Sequence, residues 1–201
     1  MENQPRLVPV AAVKGTASGL YLMAVFTLVW TGIAYGGLHS SPYALALLVF
    51  AILAATFVVR GVALYKIAKL FPPVESEEDK AEEKRTGKWF GIIFGAEGLL
   101  IFIAVNVVIN IKHPELVIPA IALVVGLHFF PLARVFKRTV DYYLATWSTI
   151  IALAAIYMSF EKVLSQPGIM VFTGIGLATA TSCYGFYMMN AGSKLQKSVS
   201  A

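Results

Sequence analysis

Six apolar stretches, each about as long as a bilayer crossing, leave this chain few folds to choose from: residues 16–38, 43–66, 88–110, 115–136, 140–160 and 167–190. A hydrocarbon core about 30 Å thick takes roughly 20 apolar residues as one helical span. The chain therefore reads as all-α, a polytopic membrane protein in which residues 1–201 form one bundle of six transmembrane helices. Composition agrees: 58% of the residues are hydrophobic and 13% charged, where soluble domains sit near ~45–50% and ~25%. The connections are short apart from one charged segment, about 69–87, which contains VESEEDKAEEKRTGK and reads as a solvated helix or linker. Pro42, Pro114 and Pro167 stand where helices should begin, because proline lacks only an N–H that a first turn leaves unbonded anyway. The polar C-terminal tail is expected to be mobile.

The cationic side chains set an orientation. Of the 16 Lys and Arg residues, all but Lys112 and Lys162 fall on one side of the six spans. An excess of Lys and Arg marks cytoplasmic loops, so both termini are expected to be cytoplasmic. The N-terminus shows no basic segment leading into a short apolar core with a cleavage site, and the first span itself would direct insertion. The net charge of +5 is spread over loops that also carry acids; a uniform basic face, as nucleic acid requires, is absent from the sequence.

Glycine and alanine indicate where the helices touch. In lipid there is no hydrophobic force between helices, and close backbone approach supplies contact energy. Span 3 has Gly87, Gly91 and Gly95 at four-residue spacing; span 5 has Ala145, Ser148, Ala152 and Ala155; span 6 has Gly174, Ala178, Ser182 and Gly185. Packing within the bundle is the expected use of these seams, and the span 3 ridge is also a possible homo-oligomer contact.

Two ionisable groups interrupt the apolar spans. Glu97 lies roughly 3 Å to the cytoplasmic side of the middle of span 3, and His128 roughly 4–5 Å to the same side in span 4, at 1.5 Å per residue. The short connection IKHPE makes these spans antiparallel neighbours, so the two side chains can meet. A carboxyl at this depth needs a partner, and an imidazole can share its proton. The pair is the candidate ligand or proton-relay centre, or else a hydrogen bond that holds the hairpin. Arg60 either snorkels toward the interface or joins Glu97. Thr181, Ser182 and Tyr184 in span 6 are candidate supporting polar groups at similar depth. Pro131 is expected to kink span 4 beside His128; Pro119 would act likewise near the other end. Arg134 and Asp141 flank the turn between spans 4 and 5 and are expected to form an exposed interfacial ion pair.

The three histidines, His39, His113 and His128, and the lone Cys183 make no metal or haem ligand set, and there is no phosphate loop, nucleophile elbow or H-E-x-x-H. No cofactor and no enzymatic activity are expected. At Gly126, His128, Phe129, Pro131, Leu132 and Ala133 the chain resembles an uncharacterised group of small six-span bacterial membrane proteins with a similar G-x-H-F-x-P-L-A stretch. That resemblance implies a six-helix inner-membrane protein and supplies no activity. The expected function is a small transporter, channel or solute-binding protein centred on Glu97 and His128. The alternative is an accessory or sensor subunit acting through helix packing and the charged loop.

Overall fold

The computed structural model describes residues 9–38, 41–73 and 76–200, with side chains as far as 197; Arg6 and His39 lie outside them. Six long helices follow in order: α1 (Val10–Leu38), α2 (Leu48–Ile67), α3 (Glu77–Asn110), α4 (Val117–Phe136), α5 (Thr139–Phe160) and α6 (Gln166–Ser200). Short 3-10 turns precede α2 and α4 (Pro42–Leu47, Pro114–Leu116) and another follows α2 (Ala68–Leu70). No strand occurs among the described residues. All six helical segments are long and apolar enough to cross a membrane. Side chains such as Ile52, Leu99, Phe102 and Leu153 point outward over half-exposed or more, a surface that suits lipid and not water. This is the make-up of an integral membrane protein.

Helix starts follow local chemistry. Ser76 caps α3, its hydroxyl accepting from the Asp79 N–H at 3.0 Å, and Glu77, Glu78 and Asp79 occupy the first turn, where carboxylates favour the positive end of the helix dipole. The charged segment is thus neither linker nor separate helix. It is the first third of α3, because EEDKAEEKR is made of strong helix formers with no Gly or Pro to stop it. The C-terminal tail differs from expectation for the same reason: AGSKLQKS contains no terminator strong enough to end α6, which continues to Ser200. Pro119 sits in the first turn of α4, where its missing donor disturbs nothing, and is buried there. The helix also continues unbroken past Pro131 to Phe136. At the ends of α3, α4 and α5 a lysine takes the left-handed conformation, Lys112, Lys137 and Lys162 with φ of 64°, 53° and 51°, which closes each turn within a few residues.

Two groups of helices emerge. The first is α1 with α6 and α2; the second is α4 with α5 and α3; α5 and α6 join them. Small residues make the tightest seams. A methyl group added at Gly174 would stand 2.6 Å from the Ala34 nitrogen and 2.7 Å from the Trp30 carbonyl oxygen of α1. One at Gly126 would stand 2.8 Å from the Thr149 nitrogen of α5. Ala145, Ser148, Ala152 and Ala155 are buried along α5, as their spacing foretold. The α3 glycines behave otherwise: nothing lies within 4 Å of a methyl group built on Gly87, Gly91, Gly95 or Gly98. Inside this chain α3 packs along α4 and leaves a gap toward α1.

Gly174→Ala is therefore expected to destabilise the bundle by about 2 kcal/mol through backbone overlap, seen as earlier thermal unfolding in detergent. Gly95→Ala should leave the transition within about 0.5 kcal/mol of its original position.

A cavity ending at a buried carboxyl and imidazole

Gly126 and His128 are two residues apart on α4, which turns them roughly 200° from each other. Gly126 meets α5, so His128 is delivered to the opposite face, against α3. There Phe90, Phe94 and Glu97 occupy one face of α3 at spacings of four and three. The sequence-predicted pair is brought together: His128 Nδ1 lies 3.4 Å from Glu97 Oε1, with the side chains only 9% and 7% exposed. The same Nδ1 is 2.5 Å from the Val125 carbonyl oxygen. A carbonyl only accepts, so Nδ1 carries a proton and donates it to Val125. That proton is not free for the carboxyl, and Glu97 makes no hydrogen bond among the described residues. Phe94 stands edge-on to the imidazole at 5.7 Å and Phe129 leans over it at 4.3 Å.

Both groups line a cavity of about 1150 Å³ that fills the gap between α1 and α3 and is floored by α4 and α6. Its walls are largely apolar, with Met23, Phe26, Phe94, Phe129 and Leu132 among them. Its lining runs from Pro73, Asp79 and Glu83, at the charged start of α3, inward as far as Trp30. Beyond it, Trp30 packs in a closed cluster with Ala122, Ala152, Leu177 and Ala178.

Thr181 and Tyr184 also line the cavity. Thr181 shares a 2.9 Å hydrogen bond with Thr27 of α1 and reaches its own helix carbonyls at Leu177 and Ala178. Ser182 is buried, does not line the cavity and has an unbonded hydroxyl. Arg60 is not at the site. It lies on the outer face of α2 beside exposed Val58, Val59 and Val62, free to extend toward the interface. Pro131 is exposed on α4, about one turn beyond His128.

The expected Arg134–Asp141 ion pair is not formed. Arg134 is exposed, whereas Asp141 is fully buried and its charged neighbour is Arg138. Arg138 immediately precedes α5 and Asp141 falls in its first turn, so the shorter spacing brings them together. Arg138 donates to the Tyr184 hydroxyl at 3.1 Å and its guanidinium lies 4.7 Å from the Phe136 ring centre. The Asp141 oxygens face this cluster without a hydrogen bond of full geometry among the described residues. Sequence reasoning passed over Arg138, although its place three residues before Asp141 was a usable signal. It also passed over the α1 wall, which the run Gly15-Thr16-Ala17-Ser18-Gly19 could have flagged as a face too small to fill the space beside it.

Among the described residues no group of three metal-ligating side chains occurs. Compared with protein families, with characterised proteins and with solved structures, the chain gives no match.

Arg138→Ala should leave Asp141 buried without its cation and lower stability by roughly 3 kcal/mol. The double change Arg138→Ala with Asp141→Asn should recover most of that loss. Chemical unfolding of both variants in the same detergent measures the difference.

Proposed function

We propose that this protein binds a small solute in the α1–α3 cavity and works as a transporter of the bacterial cytoplasmic membrane, with both termini on the cytoplasmic side. The observation that carries the reading is the continuity of the cavity from the charged end of the bundle to Glu97 and His128. A dry helix contact would have served to glue the hairpin; here the paired groups line an open space. The closed cluster beyond Trp30 argues for a site open to one side and against a continuous pore. A site open to one side at a time is what alternating access requires. Glu97 and His128 both titrate, so activity is expected to depend on pH, and Glu97→Gln to abolish it while folding is retained.

A second reading, an accessory or sensor subunit, draws support from the uncovered α3 ridge at Gly91, Gly95 and Gly98. It expects Gly91→Leu to break a complex recoverable by pull-down and Glu97→Gln to be silent.

The test of the first reading is water access. In a Cys183→Ser background, Met23→Cys lines the cavity and Ala122→Cys lies in the closed cluster. A charged methanethiosulfonate reagent should modify Met23→Cys in inside-out vesicles and spare it in right-side-out vesicles, and should leave Ala122→Cys unmodified in both. Protection of Met23→Cys from both sides would remove the solute-accessible cavity and the proposal with it.

A further inference from the structure

We propose that the cavity takes a lipophilic organic cation, a compact apolar body with one positive charge, held with that charge on the Glu97 carboxylate. This rests on the solute-binding reading above and names its ligand class. The lining at the deep end holds two acceptors, the Glu97 carboxyl and the His128 Nε2, and, among the described residues, one unbonded donor, the Trp30 indole N–H. Glu97 faces His128 Nδ1 at 3.4 Å, and the proton on that nitrogen is held by the Val125 carbonyl. The remaining hydroxyls at this depth, Thr27 and Thr181, are bonded to each other. An anion would find a single indole N–H here to donate to it, and a carboxyl whose charge repels it. A neutral hydrophobe would leave the carboxyl buried without a partner, which is unfavourable by several kcal/mol in hydrocarbon. A bare metal ion would have to shed its water for one carboxylate, since no set of three ligands is present among the described residues. A cation that brings its own apolar shell meets none of these objections.

The walls suit such a body. Phe90 and Phe94 lie with ring centres 4.5 Å apart, and Phe94 and Phe129 flank the imidazole next to the carboxyl. Ring faces attract cations within about 6 Å, more strongly when water is excluded. The volume of about 1150 Å³ is ample for a drug-sized molecule, which occupies a site of roughly 300–1,000 Å³. Charge at the entrance has the same sign as charge at the end. Asp79, Glu82 and Glu83 join Glu97 in lining the cavity, against Lys137 and Arg138. Lys137 is bound to Glu82 at 2.9 Å, and Arg138 is engaged by Tyr184 and Phe136. The lining is therefore net negative, and a field of that sign concentrates cations at the mouth.

Two ions of equal size and opposite charge test this directly. The purified full-length protein in nanodiscs is titrated with tetraphenylphosphonium and, separately, with tetraphenylborate, following the fluorescence of Trp30 and the other tryptophans and subtracting empty discs. Tetraphenylphosphonium should bind saturably at one site and at least tenfold more tightly than tetraphenylborate. Glu97→Gln should weaken the phosphonium at least tenfold, while Glu97→Asp retains most of the affinity; size-exclusion and melting profiles confirm that each variant is folded. The comparison of the two ions on the unaltered protein does not depend on either variant folding. Equal binding of the two ions, no saturable phosphonium binding, or full affinity in folded Glu97→Gln would each overturn the proposal. If Met23→Cys is modified from water yet the phosphonium does not bind, the solute-accessible cavity stands and only the ligand class falls.

Discussion

Everything in this bundle depends on where backbones can come within touching distance of one another. A bilayer gives helices no hydrophobic reason to associate, so contact area at close range decides which faces seal. Gly174 against Ala34 and Trp30 seals α6 to α1, and Gly126 against Thr149 seals α4 to α5. The face of α3 toward α1 has no such seam. Bulky Phe90 and Phe94 stand there instead, opposite the small residues of α1. The result is a gap between α1 and α3, and the deepest ionisable side chains of α3 and α4 border it.

The Glu97–His128 arrangement depends on the helix that carries the histidine. Had Nδ1 been free, a short charge-assisted hydrogen bond to the carboxyl would have satisfied both groups. The Val125 carbonyl takes the proton first and leaves a contact of 3.4 Å. The carboxyl is thereby kept available to the cavity. The Arg138–Asp141–Tyr184 cluster, nearer the charged end, is its opposite: a buried acid surrounded by its own cation and hydroxyl, with only Arg138 and Tyr184 reaching the cavity lining.

Much of this was legible from residue order. Span number, the α5 alanine seam, the place of Pro42 and Pro114, and the meeting of Glu97 with His128 follow from run length, spacing and a short antiparallel turn. The failures have a common cause: the sequence specifies which residues share a helix face but not which helix stands opposite. The α3 glycines looked like a packing ridge and face nothing within the chain. Depth alone left Arg60 free either to join Glu97 or to snorkel, and α2 turned it outward. Asp141 was assigned Arg134 across the turn when left-handed Lys137 ended α4 and set Arg138 beside it instead. The cavity itself had no single-residue signature, since it is defined by what two separate helices lack.

The length of α3 has a mechanical consequence. It is one continuous helix of 34 residues, about 50 Å from end to end, attached along α4 and turned sharply at Lys112. A rigid rod that pivoted at that turn would act as a lever. Glu97 stands about two fifths of the way from that turn to the acidic tip at Glu77, so any sideways displacement of the tip would be delivered to the carboxyl scaled down by that ratio. The charged extension, which a hydropathy plot would discard as a loop, would be the long arm.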